Sequence, residues 1–440
     1  MARDIAITPL DGWIKEKISR DGRGAADLRA YQLERLRATL ELVTHNSRFY
    51  AAHLRGTAAD DMRDLDSLAR LPFTTPEMLA GRSADFMCVP PGGIARITTL
   101  PTSGTTGAPK RLCFTREDIE LTVDFFSCGM STLASPGERV MIFMPGDTRY
   151  SVGALLREAL GRLGCEGIVH GAILDPAAAA RALRDTGCTC AVGAPSQLYE
   201  TACLASGARG IRLESVLLSA DYASRAVASG IERTWGCAVF DHYGMTEMGF
   251  GGGVECLARG GYHMREADMI FEIIDPYTGA PAGSGEYGEV VFTTLTRRGM
   301  PLIRYRTGDR SRSIPLPCPC GTALGRLERV SGRIRDAVRL RSGSTLSIEQ
   351  LDDIVYRDRS VAAYSAELVS RNGGDCLSLT VRAASPAAGF SADSLADAII
   401  SAETLNALFA SGELTLETTP GNPQVAPSGA IKRRIADRRD

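Results

Sequence analysis

Short apolar strands alternate with longer helical patterns through the middle of the chain. This predicts an α/β protein with a large multi-layer N-terminal domain built on parallel sheets. Runs at 140–144, 189–192, 215–219 and 238–240 read as buried strands, and helical patterns at Val152–Arg162 and 176–185 lie between them. Two changes of texture supply the rest. From Met269 the residues become β-branched around a Pro- and Gly-rich stretch, so a β-rich subdomain is expected, with strands at Met269–Ile274 and 289–294. Beyond Gly332 come strands near 363–369 and 377–381, a helix near 391–409 and a polar loop at 419–429, about the size of a small α+β domain. The boundary falls near 332–336, giving domains 1–332 and 333–440.

At the N-terminus, Leu33, Leu36, Leu40 and Val43 recur at helical spacing with Arg35, Arg37 and Glu41 turned outward, and Asp27 is placed to cap that helix. The 440 residues carry 50 Lys+Arg against 52 Asp+Glu, a formal net charge of −2, which gives no reason to expect nucleic acid or an anionic membrane as partner. No run approaches the roughly 18 apolar residues of a membrane span, and residues 1–12 lack a signal pattern, so a cytoplasmic protein is expected. The 12 cysteines follow no regular framework and read as reduced thiols, with a metal site among them.

The strongest chemical signal is Thr102-Ser103-Gly104-Thr105-Thr106-Gly107-Ala108-Pro109-Lys110. Its glycines let the backbone approach an anion, and its hydroxyls and lysine can donate to phosphate oxygens. No Gly-Lys-Ser/Thr closes it, so it is not a Walker A loop. The string Gly283-Ser284-Gly285-Glu286-Tyr287-Gly288 fits G-x-G-x-x-G but precedes a strand where the dinucleotide fingerprint needs a helix, so it reads as a turn. No G-x-S-x-G elbow supports a serine hydrolase. Cys256, His263, Cys318 and Cys320 form a second constellation. Three thiolates and an imidazole would close a tetrahedral structural zinc site; free buried thiols are the alternative.

The glycine- and hydroxyl-rich string resembles the phosphate loop of the adenylate-forming superfamily: acyl-CoA synthetases, peptide-synthetase adenylation domains and luciferases. His242-Tyr243-Gly244-Met245-Thr246-Glu247 and Tyr305-Arg306-Thr307-Gly308-Asp309 are similar to two further family segments. Ser331-Gly332-Arg333 resembles the step into the hinge, and Ser428-Gly429-Ala430-Ile431-Lys432 the late segment that carries a catalytic lysine. The opening Leu10-Asp11-x-Trp13-Ile14, the Tyr31-Gln32-Leu33 helix and the Cys-x-Cys-Gly element look most like the phenylacetate–CoA ligase branch.

The resemblance implies roles. Ser103, Gly104, Thr105, Thr106, Gly107 and Lys110 would hold the β- and γ-phosphates of ATP, and Thr246 would touch the α-phosphate. Tyr243, with His242 and Gly244, would stack on adenine beside Ala220, Asp221 and Asp241. Asp309 and Arg333 would take the ribose, and Glu247 would place Mg²⁺. Lys432 would neutralise charge in the transition state from a small domain that must move, with CoA as acceptor. Taken singly, Tyr243 is equally a core aromatic, Glu247 a solvated residue, Asp309 a turn aspartate and Lys432 the start of a basic tail; the order of the segments overrides those readings.

The expected activity is therefore an ATP-dependent carboxylate–CoA ligase for an aromatic or hydrophobic acid, releasing AMP and pyrophosphate. Family habit adds a homodimer. Four stretches depart from the branch. Arg335 stands where an acid is common, and Arg339-Leu340-Arg341-Ser342-Gly343 replaces the run that lines the CoA approach. Ser219-Ala220-Asp221-Tyr222 replaces Gly-Ala-Glu-Pro, and 144–155 lacks the aromatic, Gly-rich character of phenylacetate enzymes. They leave the acid open and keep two rivals: an adenylate-forming enzyme with a non-CoA acceptor, and a non-catalytic zinc- and nucleotide-binding protein.

Overall fold

Two compact units make up the chain, one comprising Met1–Leu133, Glu158–Leu163 and Asp241–Val330, the other Ala134–Arg157, Gly164–Phe240 and Ser331–Asp440. The computed structural model describes residues 5–20, 28–100, 108–206, 210–334, 337–385, 389–423 and 432–439.

In the first unit a helix, Pro9–Arg20, precedes the expected one, which spans Leu28–Asn46 and buries Leu36, Leu40 and Val43 together with Tyr31, Gln32 and Thr39. Its expected cap, Asp27, lies outside the described residues. An antiparallel pair, Arg96–Leu100 and Lys110–Phe114, puts Lys110 opposite Leu100. The helix Arg116–Met130 follows, opened by a capping box in which Thr115 Oγ1 accepts from Asp118 N and Asp118 Oδ2 accepts from Thr115 N. The β-rich region is a three-stranded antiparallel sheet of Met269–Ile274, Gly288–Thr294 and Tyr305–Ser311. Its third strand carries the Thr-Gly-Asp segment. The turn reading of 283–288 agrees with the strand that starts at Gly288.

The second unit holds the parallel strands Ser215–Leu218, Cys190–Gly193, Arg139–Phe143 and Glu166–Val169, side by side in that order. They are almost wholly apolar, as strands covered on both faces must be, and helices Pro176–Thr186, Pro195–Leu204 and Arg225–Trp235 connect or flank them. The last expected strand runs on to Tyr243, and its final residues pair antiparallel with Gly253–Glu255 rather than continuing the parallel set.

A four-stranded sheet, in the order Leu414–Pro420, Gly374–Ala383, Val361–Arg371, Ala436–Asp437, completes this unit with helix Ile348–Val355. Two expectations are corrected here. The pattern at 391–409 is two helices, Ala392–Ile400 and Asn406–Ala410: Ser401 bonds back to Asp397 O at 2.7 Å and ends the first. Leu414–Pro420 is a strand paired parallel to Asp375–Val381, where the sequence suggested only a loop from 419. One apolar core in this unit draws on the parallel strands and on Leu351, Ile354, Tyr356 and Leu368 of the C-terminal portion.

Candidate active site and metal centre

In the first unit, Lys110, Tyr243, Glu247, Tyr305 and Asp309 come together. Glu247 sits in a single 3-10 turn, Thr246–Met248, that follows directly on the strand ending at Tyr243. Gly244 makes that passage: a Cβ there would lie 2.3 Å from Phe250 O and 2.9 Å from His242 Cε1. Glu247 is only 3% exposed, and its Oε1 accepts from Lys110 Nζ at 2.6 Å and Tyr305 Oη at 3.1 Å. Burial alone would raise this carboxyl, but the Lys110 charge and the hydrogen bonds outweigh it and hold it below the ordinary range.

Asp309 is placed by a β-bulge. The register between Gly288–Thr294 and Tyr305–Ser311 shifts around Glu289 and Val291, and Gly308 adopts φ +75° there. Glu289 Oε1 accepts from Gly308 N at 2.9 Å while Arg306 grips its other oxygen, and Thr307 Oγ1 takes Asp309 N at 3.0 Å. Asp309 Oδ2 then receives the Tyr243 hydroxyl at 2.9 Å. The Tyr243 ring stacks on Tyr262 at 5.7 Å, so the two expected nucleotide contacts are one connected unit.

Asp241 is engaged by the protein itself. Its Oδ1 accepts from His242 N, its Oδ2 from Tyr262 Oη at 2.8 Å, and Arg329 bridges it to Glu255. Burial pushes Asp241 up to about 7, against the opposing pull of Arg329. The His242 imidazole packs against Phe125 and Phe126, and burial drives it down to about 4, so it is neutral near pH 7. Thr246 is half-buried at the start of the turn. Ser103, Gly104, Thr105, Thr106 and Gly107 lie outside the described residues.

Arg297 was not read from the sequence. Asp118 takes Arg298 N and Gly299 N at 2.7 and 2.9 Å, which pins the turn, and Arg297 Nη1 donates to Glu247 O at 2.6 Å. The guanidinium lies over Phe114, and among the described residues its Nε and Nη2 find no partner. An arginine pair directly after a fully buried strand was the available signal.

In the second unit, Ala220 has φ +75°, a strained conformation for a residue with a Cβ. Asp221 Oδ2 accepts from Arg433 N at 3.0 Å, which sets the residue following Lys432 against this segment. Arg333 and Lys432 belong to the same unit, and both are engaged. Ser428, Gly429, Ala430 and Ile431 lie outside the described residues, as do Arg335 and Asp336.

The four metal-ligand candidates converge in the first unit. Cys256 follows the strand Gly253–Glu255, and His263 sits on the adjacent strand Tyr262–Met264, across from Val254. Cys318 and Cys320 arrive on a tight turn in which Gly321 N returns to Cys318 O at 2.9 Å. All four side chains are buried, with their ligand atoms within 4.8 Å of one another. Cys256 and Cys318 sulfurs are 3.7 Å apart, and Cys320 Sγ is 3.6 Å from His263 Nε2. A tetrahedral zinc with bonds of about 2.3 Å to sulfur and about 2.05 Å to nitrogen requires separations of about 3.8 and about 3.6 Å. The residues fit the ion. All 12 cysteines are free thiols.

The acid–lysine–tyrosine cluster and the tyrosine–aspartate pair belong to one unit and carry the residue types of a nucleotide site. The family model described as AMP-binding enzyme matches residues 29–295, and the chain belongs to that family, on its phenylacetate–CoA ligase-like branch. It is 30% identical over 374 residues to the phenylacetate–coenzyme A ligase of Escherichia coli (strain K12), covering 81% of this chain and 82% of that one. It is 28% identical over 377 residues to the enzyme of that name from Aromatoleum evansii, covering 83% of each. Among solved structures, a 2-hydroxyisobutyryl-CoA ligase in the postadenylation state with 2-HIB-AMP shares the fold at TM-score 0.78 and 21% identity, over 92% of this chain and 88% of that chain. No described helix is long and apolar enough to cross a membrane.

Proposed function

We propose that this chain is an ATP- and Mg²⁺-dependent carboxylate–CoA ligase that acts in the cytoplasm on an aromatic or otherwise hydrophobic acid. The observation that carries the reading is the cluster of Lys110, Glu247 and Tyr305 beside the bonded pair Tyr243–Asp309. A carboxylate oxygen attacks the α-phosphorus of ATP and pyrophosphate leaves. The CoA thiol sulfur then attacks the acyl carbon of the adenylate, and AMP departs.

Glu247, a buried carboxylate, is the residue that would hold Mg²⁺ once Lys110 turns to phosphate, and the ion would supply neutralising charge to the phosphates. Lys110 offers its ammonium to the outer phosphates. Tyr243 supplies an aromatic face for adenine, and Asp309 accepts from the ribose hydroxyls. Lys432 supports charge in the adenylation transition state, from a mobile domain spanning 333–440, so this reading takes 332/333 as the functional division. Cys256, His263, Cys318 and Cys320 would hold zinc in a structural role, since four protein ligands leave no open position. A homodimer is part of the proposal on family habit alone.

The test is mass spectrometry of the purified chain with ATP, Mg²⁺, CoA and a pool of aryl and aliphatic acids. A new acyl-CoA with stoichiometric AMP is expected. AMP and an acyl-adenylate without thioester would favour transfer to another acceptor, the reading that the unusual run Arg339–Gly343 supports. Absence of both products with every acid class in the pool would overturn the ligase.

A further inference from the structure

Lys432 is exposed. Its backbone is located from the following residue. Arg433 N donates to Asp221 Oδ2 at 3.0 Å. The Arg433 guanidinium is bonded to Asp352 on the helix Ile348–Val355 and donates from Nη2 to Tyr364 O at 3.1 Å. Its carbon centre lies 4.3 Å over the Tyr364 ring and 5.5 Å from that of Tyr356. Tyr364 Oη closes the cluster by donating to Asp352 at 2.5 Å. Asp352 is only 5% exposed, so Arg433 joins carboxylates from opposite sides of residue 332, Asp221 through its backbone N–H and Asp352 through its guanidinium.

These contacts are additional to those that anchor the neighbouring strand. The strand Ala436–Asp437 and the bond from Arg438 N to Leu368 O, 2.8 Å, already hold the terminus to the sheet. What the Arg433 contacts add is a fixed distance between Lys432 and the strained Ala220–Asp221 segment.

We propose that Arg433 and Asp221 are positioning residues that clamp Lys432 for the adenylation half-reaction and are not needed for the thioester-forming one. The proposal rests on the Lys432 role given above. Its geometry predicts a split between the two partial reactions, which a general loss of folding would not produce.

The experiment measures ATP–pyrophosphate exchange with the pooled acids, and separately acyl-CoA formation from the synthetic adenylate of the acid that the thioester screen identifies. The variants are Asp221→Ala, Arg433→Lys and the double change Arg433→Gln/Asp352→Asn, which avoids stranding a buried carboxylate. Asp221→Ala and the double variant should lose about 10²-fold in exchange, the scale of a misplacement near 1 Å. The double variant should still make thioester from supplied adenylate, and Arg433→Lys should recover most of the exchange.

Equal loss in both partial reactions would overturn the clamp and leave a merely structural cluster. Unchanged exchange in these variants, with exchange abolished by Lys432→Ala, would overturn the clamp alone. Unchanged exchange in Lys432→Ala, or none in the parent chain, would bring down the underlying reading and the clamp with it.

Discussion

Glu247 and Lys110 neutralise one another in a site where each would be costly alone. Glu247→Gln removes the counter-charge of a mostly buried ammonium, so we expect a loss of about 3 kcal/mol in chemical denaturation together with loss of ATP–pyrophosphate exchange. A smaller stability effect would mean that water already screens the pair. Asp241 carries the clearest pH signature. Its folded carboxyl lies near 7, raised by burial above the ordinary 3.8, so its favourable contribution is complete below about pH 4 and disappears as pH rises through about 7. His242, lowered to about 4, contributes in the opposite sense: its part is complete above about 6.5 and is lost as pH falls through about 4. The difference in Tm between Asp241→Asn and the parent isolates the aspartate, and it should grow in the variant's favour from pH 4 to 7.

At the scale of elements, the bulge at Gly308 and the Cys318–Cys320 turn each fix side-chain placement by backbone shape. A Cβ at Gly308 meets nothing within 4 Å, so Gly308→Ala costs only the strain of φ +75°, about 1 kcal/mol, yet it re-aims Asp309. We expect a several-fold higher KM for ATP with little change in Tm. For the metal centre, elemental analysis should find one zinc per chain, and Cys320→Ser should lose the metal with a clear drop in Tm; a metal-free parent with normal stability would return these residues to plain thiols.

The helix Val152–Arg162 and the strand Met269–Ile274 were legible to the residue because their periodicities are strong and their ends carry clear signals. Leu414–Pro420 was not: alternating polar threonines on a half-exposed strand look like loop until a partner strand is known. The candidate site was legible where motif strings carry it. The Tyr243–Asp309 bond and the Arg297 contact to Glu247 join residues 66 and 50 positions apart, which no local pattern encodes.

For the whole molecule, each unit has its own fold logic, and the second spans both sides of residue 332. There Tyr199 meets Tyr356 edge-on at 5.1 Å, and Glu200 pairs with Arg382. Any rotation about residue 332 must part an aromatic edge, an ion pair, the Arg433 N–Asp221 bond and part of the shared apolar core, so its cost includes apolar area exposed to water as well as polar contacts to be re-solvated. The α/β class was readable because strand composition and alternation depend on layers, not on the details of contacts.

The Lys110–Glu247 pair has one last consequence. Before substrate arrives the pocket is electrically a closed circuit. A bare polyphosphate would draw Lys110 away and strand the glutamate, and a bare divalent ion would claim Glu247 and strand the lysine. By the proposed roles, a magnesium–nucleotide complex would bring a partner for each, phosphate oxygens for Lys110 and the metal for Glu247, a double swap in which neither buried ion is left unpaired. Calorimetric titration should show free ATP binding far more weakly than ATP with Mg²⁺, and comparable affinities would mean that the swap is not required.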